Sequence, residues 1–223
     1  FLDPEATDAK QQHTLLQDWD AATRALRLPL IRRQMIAVVS IEGTIAPGHS
    51  RNLPLPIPLL GSSQAGAESI IQALRQAEQT RRAAGVVLYV NSPGGDVLAS
   101  DVIWREVQRL GQKKPVVVAM GDVAASGGYY VAAPASAIVA QPGTLTGSIG
   151  VFSLRPVVAG LLERAEINTV VLSRGAHSGL LSISQPPTDA ERTAQHAVVF
   201  HYYAEFKQRV VAGRNISNEQ LEP

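Results

Sequence analysis

The sequence predicts an α/β protein with a largely parallel sheet, and three observations support this class. Short apolar runs rich in β-branched residues alternate with longer amphipathic stretches, such as 85–90 followed by 96–110. The alternation repeats about every 30 residues, which is the length of a right-handed strand–helix–strand crossover. The chain has 223 residues, 45% of them hydrophobic, so one domain can bury a core without disulfide or metal staples.

The individual elements follow from the spacing of apolar residues. Short continuous apolar runs predict buried strands, and an i, i+3, i+4, i+7 spacing predicts helices. The expected strands cover 36–41, 85–90, 115–120, 137–140 and 168–172. The expected helices cover 14–28, 67–84, 96–110, 126–133, 157–164 and 188–211. The helix over 96–110 is expected to turn five side chains inward, namely Leu98, Val102, Ile103, Val107 and Leu110.

The ends of the chain and one internal loop fall outside this pattern. Residues 1–34 are predicted to be an N-terminal connecting arm, and 35–223 a single domain truncated at its end. Residues 46–66 form a predicted loop rich in proline, glycine and serine. Its core over 53–60 is not expected to form a regular strand, because each proline removes a backbone donor. It is interpreted as a partner-facing loop or a packed flap.

The composition excludes several classes of protein. Cysteine is absent, which excludes disulfides, thiolate metal sites and a cysteine nucleophile. A net charge of +1 argues against a nucleic-acid binder, which usually carries a basic excess.

No membrane span or targeting segment is expected from the sequence. Residues 123–154 carry no charge but are broken by glycines and prolines, which predicts a buried core segment rather than a membrane span. Residues 1–20 lack the pattern of a signal peptide, and a soluble chain is expected.

Two loops are candidates for chemistry because they follow the carboxyl ends of predicted parallel strands. The loop over 91–96 reads Asn-Ser-Pro-Gly-Gly-Asp, and its paired glycines let backbone N–H groups approach a ligand closely. The loop over 121–130 places Ser126 at a tight strand-to-helix turn, as an exposed nucleophile would be. Each loop alone fits an ordinary capped turn equally well. Together they offer oxyanion donors and a hydroxyl.

With a third motif, Pro-Gly-Thr-Leu-Thr-Gly-Ser-Ile-Gly-Val over 142–151, these loops resemble the signal peptide peptidase A family, also called protease IV. The resemblance runs from about Met35 to Gln220. It implies the Clp protease/crotonase fold, a superhelix of ββα units that usually forms homo-oligomers. It also implies a membrane-associated serine peptidase on the extracytoplasmic side. Such enzymes digest released signal peptides with a Ser/Lys dyad, without metal or cofactor.

The resemblance assigns roles residue by residue. Ser126 matches the nucleophile, and Ser148 matches a serine that orients the catalytic lysine. Gly94 or Gly95, with Gly127, matches the oxyanion-hole donors. An apolar cleft for the peptide is expected to involve Tyr129, Tyr130, Val151 and Phe152, although core packing explains these side chains equally well.

The dyad lysine is missing from its expected place. Short family members carry it just after a histidine, but here Ser178 follows His177. The chain has only four lysines, Lys10, Lys113, Lys114 and Lys207, and none falls at that position. One explanation is that this chain matches the C-terminal half of the long form, whose N-terminal half supplies the lysine. The others are an inactive or engineered relative, and a different base.

Two further functions remain open from the sequence. The fold also supports crotonase-type acyl-CoA enzymes, which use paired-glycine oxyanion holes without a nucleophilic serine. A catalytically inactive scaffold of the same fold is the second alternative. The expected partners of the favoured peptidase are peptide substrates, the N-terminal half of the same protein and further copies of the chain.

Overall fold

The computed structural model describes residues 33–57, 61–172, 174–175 and 178–221. The chain divides into two units, Phe1–Gln34 and Met35–Pro223. The helix predicted over 14–28 lies outside the described residues.

A parallel sheet forms the centre of the second unit. Four of its strands are β1 (Met35–Glu42), β5 (Ala83–Ser92), β6 (Val116–Ala125) and β7 (Ala137–Val139). They lie side by side in the order β1-β5-β6-β7, and β8 (Leu145–Gly147) pairs with the far end of β6. Every pairing is parallel. The predicted α/β class and four of the predicted strands are therefore confirmed, although β6 continues beyond the expected end at Met120.

The helices α1 (Ala67–Gln79), α2 (Val97–Gly111) and α3 (Gly127–Ala132) pack on the face of the sheet that carries the core. The chain continues through α4 (Ala159–Arg164), α5 (Asp189–Arg214) and α6 (Asn218–Leu221). The α1 and α2 helices bury their apolar stripes against alternate residues of β5 and β6, which is how a parallel sheet excludes water. In α2 the buried stripe includes Ala99, Ile103 and Val107, which leaves Leu98 beside it and 70% exposed. The expectation that Leu98 points inward is wrong.

The proline-rich segment forms a strand, which the sequence analysis did not expect. The strands β2 (Thr44–Ala46), β3 (Arg51–Ile57) and β4 (Gly61–Gly66) make a small second sheet in the order β2-β4-β3. Because β3 lies at the edge, one side of its backbone needs no ladder donors, and proline is tolerated there. The register also shifts between Asn52 and Ile57, so the prolines fall between the paired residues.

The strand predicted over 168–172 is absent, and this stretch is irregular. Its apolar side chains are largely exposed, with Val170 at 84% and Leu172 at 94%. An apolar run becomes a strand only where a neighbouring backbone completes its hydrogen bonds, and no strand of the described chain pairs with this one.

The capping box predicted at the start of α5 is confirmed, because Thr188 and Glu191 each accept a hydrogen bond from the other's backbone N–H.

Candidate active site

Ser126 occupies the turn between β6 and α3, in a backbone conformation that few non-glycine residues adopt. Its φ is 51° and its ψ is −120°, which costs on the order of 1–3 kcal/mol and persists only where surrounding contacts impose it. The Ser126 N–H donates to the Gly147 carbonyl at 2.9 Å, and its carbonyl accepts from the Tyr130 N–H at 2.8 Å. The half-buried Ser126 hydroxyl makes no capping bond to α3, and within the residues that the structure describes we find no hydrogen-bond partner for its Oγ.

A bulge in β6 sets the position of this turn. Val90 pairs with Met120, whereas Ser92 pairs with Ala124, so β6 carries the longer stretch between these two pairs. The Asn91 Oδ1 accepts from the Val123 N–H at 3.2 Å and closes the bulge. Such bulges redirect a strand next to a functional residue. Here the bulge places Ala124 opposite Ser92, two residues before Ser126.

Two threonines hold the other side of the bulged strand. The Thr144 Oγ1 donates to the Gly121 carbonyl, and the Thr146 Oγ1 donates to the Ala124 carbonyl, both at 2.8 Å. Sequence reasoning did not assign roles to these threonines or to the Asn91 side chain. A polar residue at the end of an otherwise apolar strand is the signal that could have singled out Asn91.

The loop over 91–96 lies directly against the Ser126 turn. Gly94 has a φ of +101°, and a Cβ on it would lie 2.6 Å from the Gly127 nitrogen and 2.8 Å from the Ser126 Cβ. Only glycine permits this approach. Hydrogen bonds from the Ile45 N–H to the Gly94 carbonyl and from the Asp96 N–H to the Ile45 carbonyl anchor the loop to β2.

The three predicted oxyanion donors are not equivalent. The Gly94 N–H donates to the buried Ser92 Oγ at 3.1 Å, so it is already used. In the part of the chain that the structure describes, we find no acceptor for the N–H groups of Gly95 and Gly127. These two groups are neighbours, because a Cβ on Gly127 would lie 3.2 Å from the Gly95 nitrogen. The pair available to hold a developing negative charge is therefore Gly95 with Gly127.

Ser148 follows Gly147, the residue that anchors the Ser126 turn. It is exposed and has a φ of 48°, and the preceding Gly147 carbonyl accepts a hydrogen bond from the Ser126 N–H.

The residues expected to line a peptide cleft differ in their burial. Tyr130 is buried, and Tyr129 is partly buried against both apolar clusters of the core. Phe152 is 80% exposed and Val151 is half-buried.

Each lysine that the structure describes interacts with another group of the chain. Lys113 forms an ion pair with Glu78, and Lys207 Nζ lies 4.5 Å from the centre of the Tyr203 ring. Arg109 and Lys113 together hold the pKa of Glu78 at about 2. Lys114 donates to the Ala77 and Thr80 carbonyls at the end of α1, at 2.9 and 2.8 Å.

The expected lysine position is exposed. The Ser178 Oγ donates to the Gly175 carbonyl at 2.8 Å, which closes a local turn. His177 and Lys10 lie outside the described residues.

Within the described residues there is no cluster of three or more metal-ligating side chains, and none of the helices described is long and apolar enough to cross a membrane.

Comparison with known proteins gives two family matches. The family model "Peptidase family S49" matches residues 108–223, and the model "Clp protease" matches residues 60–141. The S49 match covers more than half of the chain and contains Ser126, Gly127 and Ser148. The predicted Clp protease-like fold agrees with the second match and with the parallel sheet.

Individual relatives agree with the family matches. "Serine protease SPPA, chloroplastic" of Arabidopsis thaliana is 37% identical over 85% of this chain. "Protease 4" of Haemophilus influenzae is 35% identical over 84%. The chain spans only 27% and 29% of these two relatives. A solved ClpP1 mutant from Listeria monocytogenes has a TM-score of 0.44 and 17% identity, covering 82% of this chain and 75% of that one. The chain belongs to peptidase family S49.

Proposed function

We propose that this chain is the nucleophile-bearing part of a serine peptidase, with Ser126 as nucleophile and the Gly95 and Gly127 N–H groups as oxyanion hole. One observation carries the proposal. Among the described residues, the Ser126 hydroxyl in its strained turn has no hydrogen-bond partner, and the glycine loop packed against this turn leaves two neighbouring N–H groups without an acceptor. Strain of this kind is typical of functional sites.

The proposed reaction is acyl transfer to serine. The Ser126 Oγ forms a bond to the carbonyl carbon of the scissile peptide while a base takes the hydroxyl proton. The carbonyl electron pair moves onto oxygen, where the Gly95 and Gly127 N–H groups stabilise it by about 3 kcal/mol per donor. The C–N bond then breaks, and the leaving amine takes the proton from the base. Water activated by the same base hydrolyses the acyl-enzyme and returns Ser126.

We place the base outside this chain. Lys113, Lys114 and Lys207 interact elsewhere, and Ser178 stands at the position expected for the lysine. The relatives named above are more than three times as long as the matched segment, which leaves ample chain for a second, lysine-bearing half. A lysine serves as base only where burial lowers its pKa, and Ser148 would then orient it beside the nucleophile turn.

Released signal peptides are the proposed substrates, and the proposal rests on the family resemblance. Such peptides are apolar and extended, and an extended peptide binds by adding to a strand edge. Tyr129, Val151 and Phe152 are the proposed contacts. On the same resemblance, we propose that the enzyme is a membrane-associated homo-oligomer that acts on the extracytoplasmic side.

A fluorophosphonate probe tests the nucleophile, because it reacts with an activated serine without needing the correct peptide. In a full-length preparation we expect the probe to label Ser126, and the variant Ser126→Ala to remain unlabelled. This chain alone should label weakly because its base is missing. Equal labelling of Ser126→Ala would overturn the assignment. Full peptidase activity of this chain alone would show that a local group acts as base.

A further inference from the structure

A buried aromatic cluster, with two partly buried charged side chains beside it, packs against the helix α3 that follows Ser126. Trp104 on α2, Tyr130 on α3, and Phe206 and Val210 on α5 are at most 6% exposed and pack together with Ala133. The Tyr130 ring lies 4.8 Å from the Phe206 ring and meets the Trp104 ring edge-on at 6.4 Å. Three helices therefore meet at a single tyrosine.

Tyr130 also has a polar partner in this cluster. Its hydroxyl donates to the Asp101 Oδ1 on α2 at 2.9 Å. The Arg209 Nε lies 3.5 Å from the same oxygen, and the Arg209 guanidinium stacks on Trp104 at 4.3 Å. Burial raises the pKa of Tyr130 to about 12, so the phenol remains a hydrogen-bond donor at any ordinary pH. An unpaired hydroxyl here would be costly.

The backbone of Tyr130 reaches the nucleophile directly. Its N–H donates to the Ser126 carbonyl at 2.8 Å, and this bond closes the first turn of α3. At the other end, the Arg214 guanidinium on α5 donates to the carbonyls of Ala133 and Ala135 at 3.2 and 2.7 Å. The short helix is thus fixed at both ends and along its buried side.

We propose that Tyr130, Asp101 and Arg209 are positioning residues that hold α3 so that Ser126 and Gly127 keep their catalytic geometry. The inference rests on the proposed peptidase function and adds to it a requirement for α5, which lies far along the chain from the nucleophile. Removing the Tyr130 hydroxyl leaves the ring packing in place but frees the first turn of α3 to shift. A small misplacement of a nucleophile costs rate and leaves substrate binding nearly unchanged.

The first test is the variant Tyr130→Phe in the full-length protein, with Tyr202→Phe as matched control because Tyr202 is 42% exposed on α5. We expect fluorophosphonate labelling of Ser126 to slow about tenfold in Tyr130→Phe, with kcat reduced and KM unchanged for a peptide substrate. Tyr202→Phe should match the wild type. The variant Asp101→Asn keeps an acceptor for the hydroxyl and should lose less than Tyr130→Phe. A lower melting temperature with labelling at the wild-type rate would overturn the proposal, since it indicates a purely structural role.

The second test is independent of activity. Amide hydrogen exchange at Tyr130 reports the bond to the Ser126 carbonyl, and we expect it to quicken about tenfold in Tyr130→Phe but not in Tyr202→Phe. Unchanged exchange at this amide would refute the positioning role. Suppose that Ser126 of the wild type does not react with the probe while exchange at the Tyr130 amide quickens as expected in Tyr130→Phe. The peptidase proposal would then be wrong, and the positioning of α3 by the Tyr130 hydroxyl would stand.

Discussion

The two sides of the candidate site are held in very different ways. On the nucleophile side, residues 91–96 and 121–128, backbone hydrogen bonds and glycine contacts join the strands β2, β5, β6 and β8 and the helices α2 and α3. On the base side, residues 148–185, apolar side chains are exposed, including Phe152, Val170 and Leu181 at 80, 84 and 86%. The contacts on that side are mainly polar, such as the Arg155 guanidinium donating to the Gly179 and Leu180 carbonyls.

This difference teaches that the geometry around Ser126 is set by contacts within the chain itself. Ser126, Gly94 and Gly127 are fixed by contacts made within the described residues. The position expected for the base lies on an exposed turn, where solvent would keep a lysine charged. The four predictions below test whether the two sides are as separate as this comparison implies.

Adding a side chain at Gly94, beside Ser126, should have the largest effect on probe labelling and on stability. In Gly94→Ala the new Cβ would meet the Gly127 nitrogen and the Ser126 Cβ, at a φ that alanine rarely adopts. We expect labelling of Ser126 to fall at least about 100-fold and the free energy of unfolding to drop by about 2 kcal/mol or more. Probe kinetics and denaturant melts measure the two effects.

The matched control is Gly143→Ala, because Gly143 has open space where a Cβ would be added. It should label and unfold like the wild type. If Gly94→Ala also behaves like the wild type, the nucleophile side is more adaptable than its contacts imply.

Breaking the bulge should have an intermediate effect. Asn91→Ala leaves the Val123 N–H without its acceptor, so we expect about 1–2 kcal/mol lower stability and about tenfold slower labelling of Ser126. The exposed Asp122 lies in the same bulge, so Asp122→Ala serves as control. Equal loss in both variants would indicate that the bulge is sensitive to any change and that Asn91 has no specific role.

The sequence predicted the nucleophile side better than the base side for a physical reason. Apolar runs identified the strands at 36–41, 85–90 and 115–120, because alternate residues of each strand, such as Val39, Val86 and Val116, are buried by contacts within the chain. The glycine pair and Ser126 indicated the candidate site, because local backbone geometry dictates those residue types. The run at 168–172 was misjudged because a strand needs a partner, which composition does not reveal. The Asn91 bulge and the edge strand β3 were missed because both depend on pairing register.

The start of α5 should show a smaller, pH-dependent effect. Hydrogen bonding from the Thr188 N–H lowers the pKa of Glu191 below its usual value of 4.5. Its contribution to stability is therefore present above about pH 4.5 and is lost as the pH falls through the lower folded-state value. Glu191→Gln should lower the melting temperature at pH 7, and its difference from the wild type should shrink toward pH 3. The exposed Glu163→Gln should show no such trend. A difference independent of pH would contradict the assigned role of the Glu191 charge.

Restoring a lysine at the expected position should change labelling least. In Ser178→Lys the new ammonium would replace a hydroxyl on an exposed turn, where little desolvation lowers its pKa. A protonated lysine accepts no proton, so we expect labelling of Ser126 in the isolated chain to stay within about twofold of the wild type at pH 7. Ser182→Lys, on the same side of the site, controls for added positive charge. A rise of tenfold or more in Ser178→Lys alone would show that the isolated chain already builds the base side. A second half of the protein would then not be needed to supply the base. The two sides would differ from a working pair only by the residue at position 178.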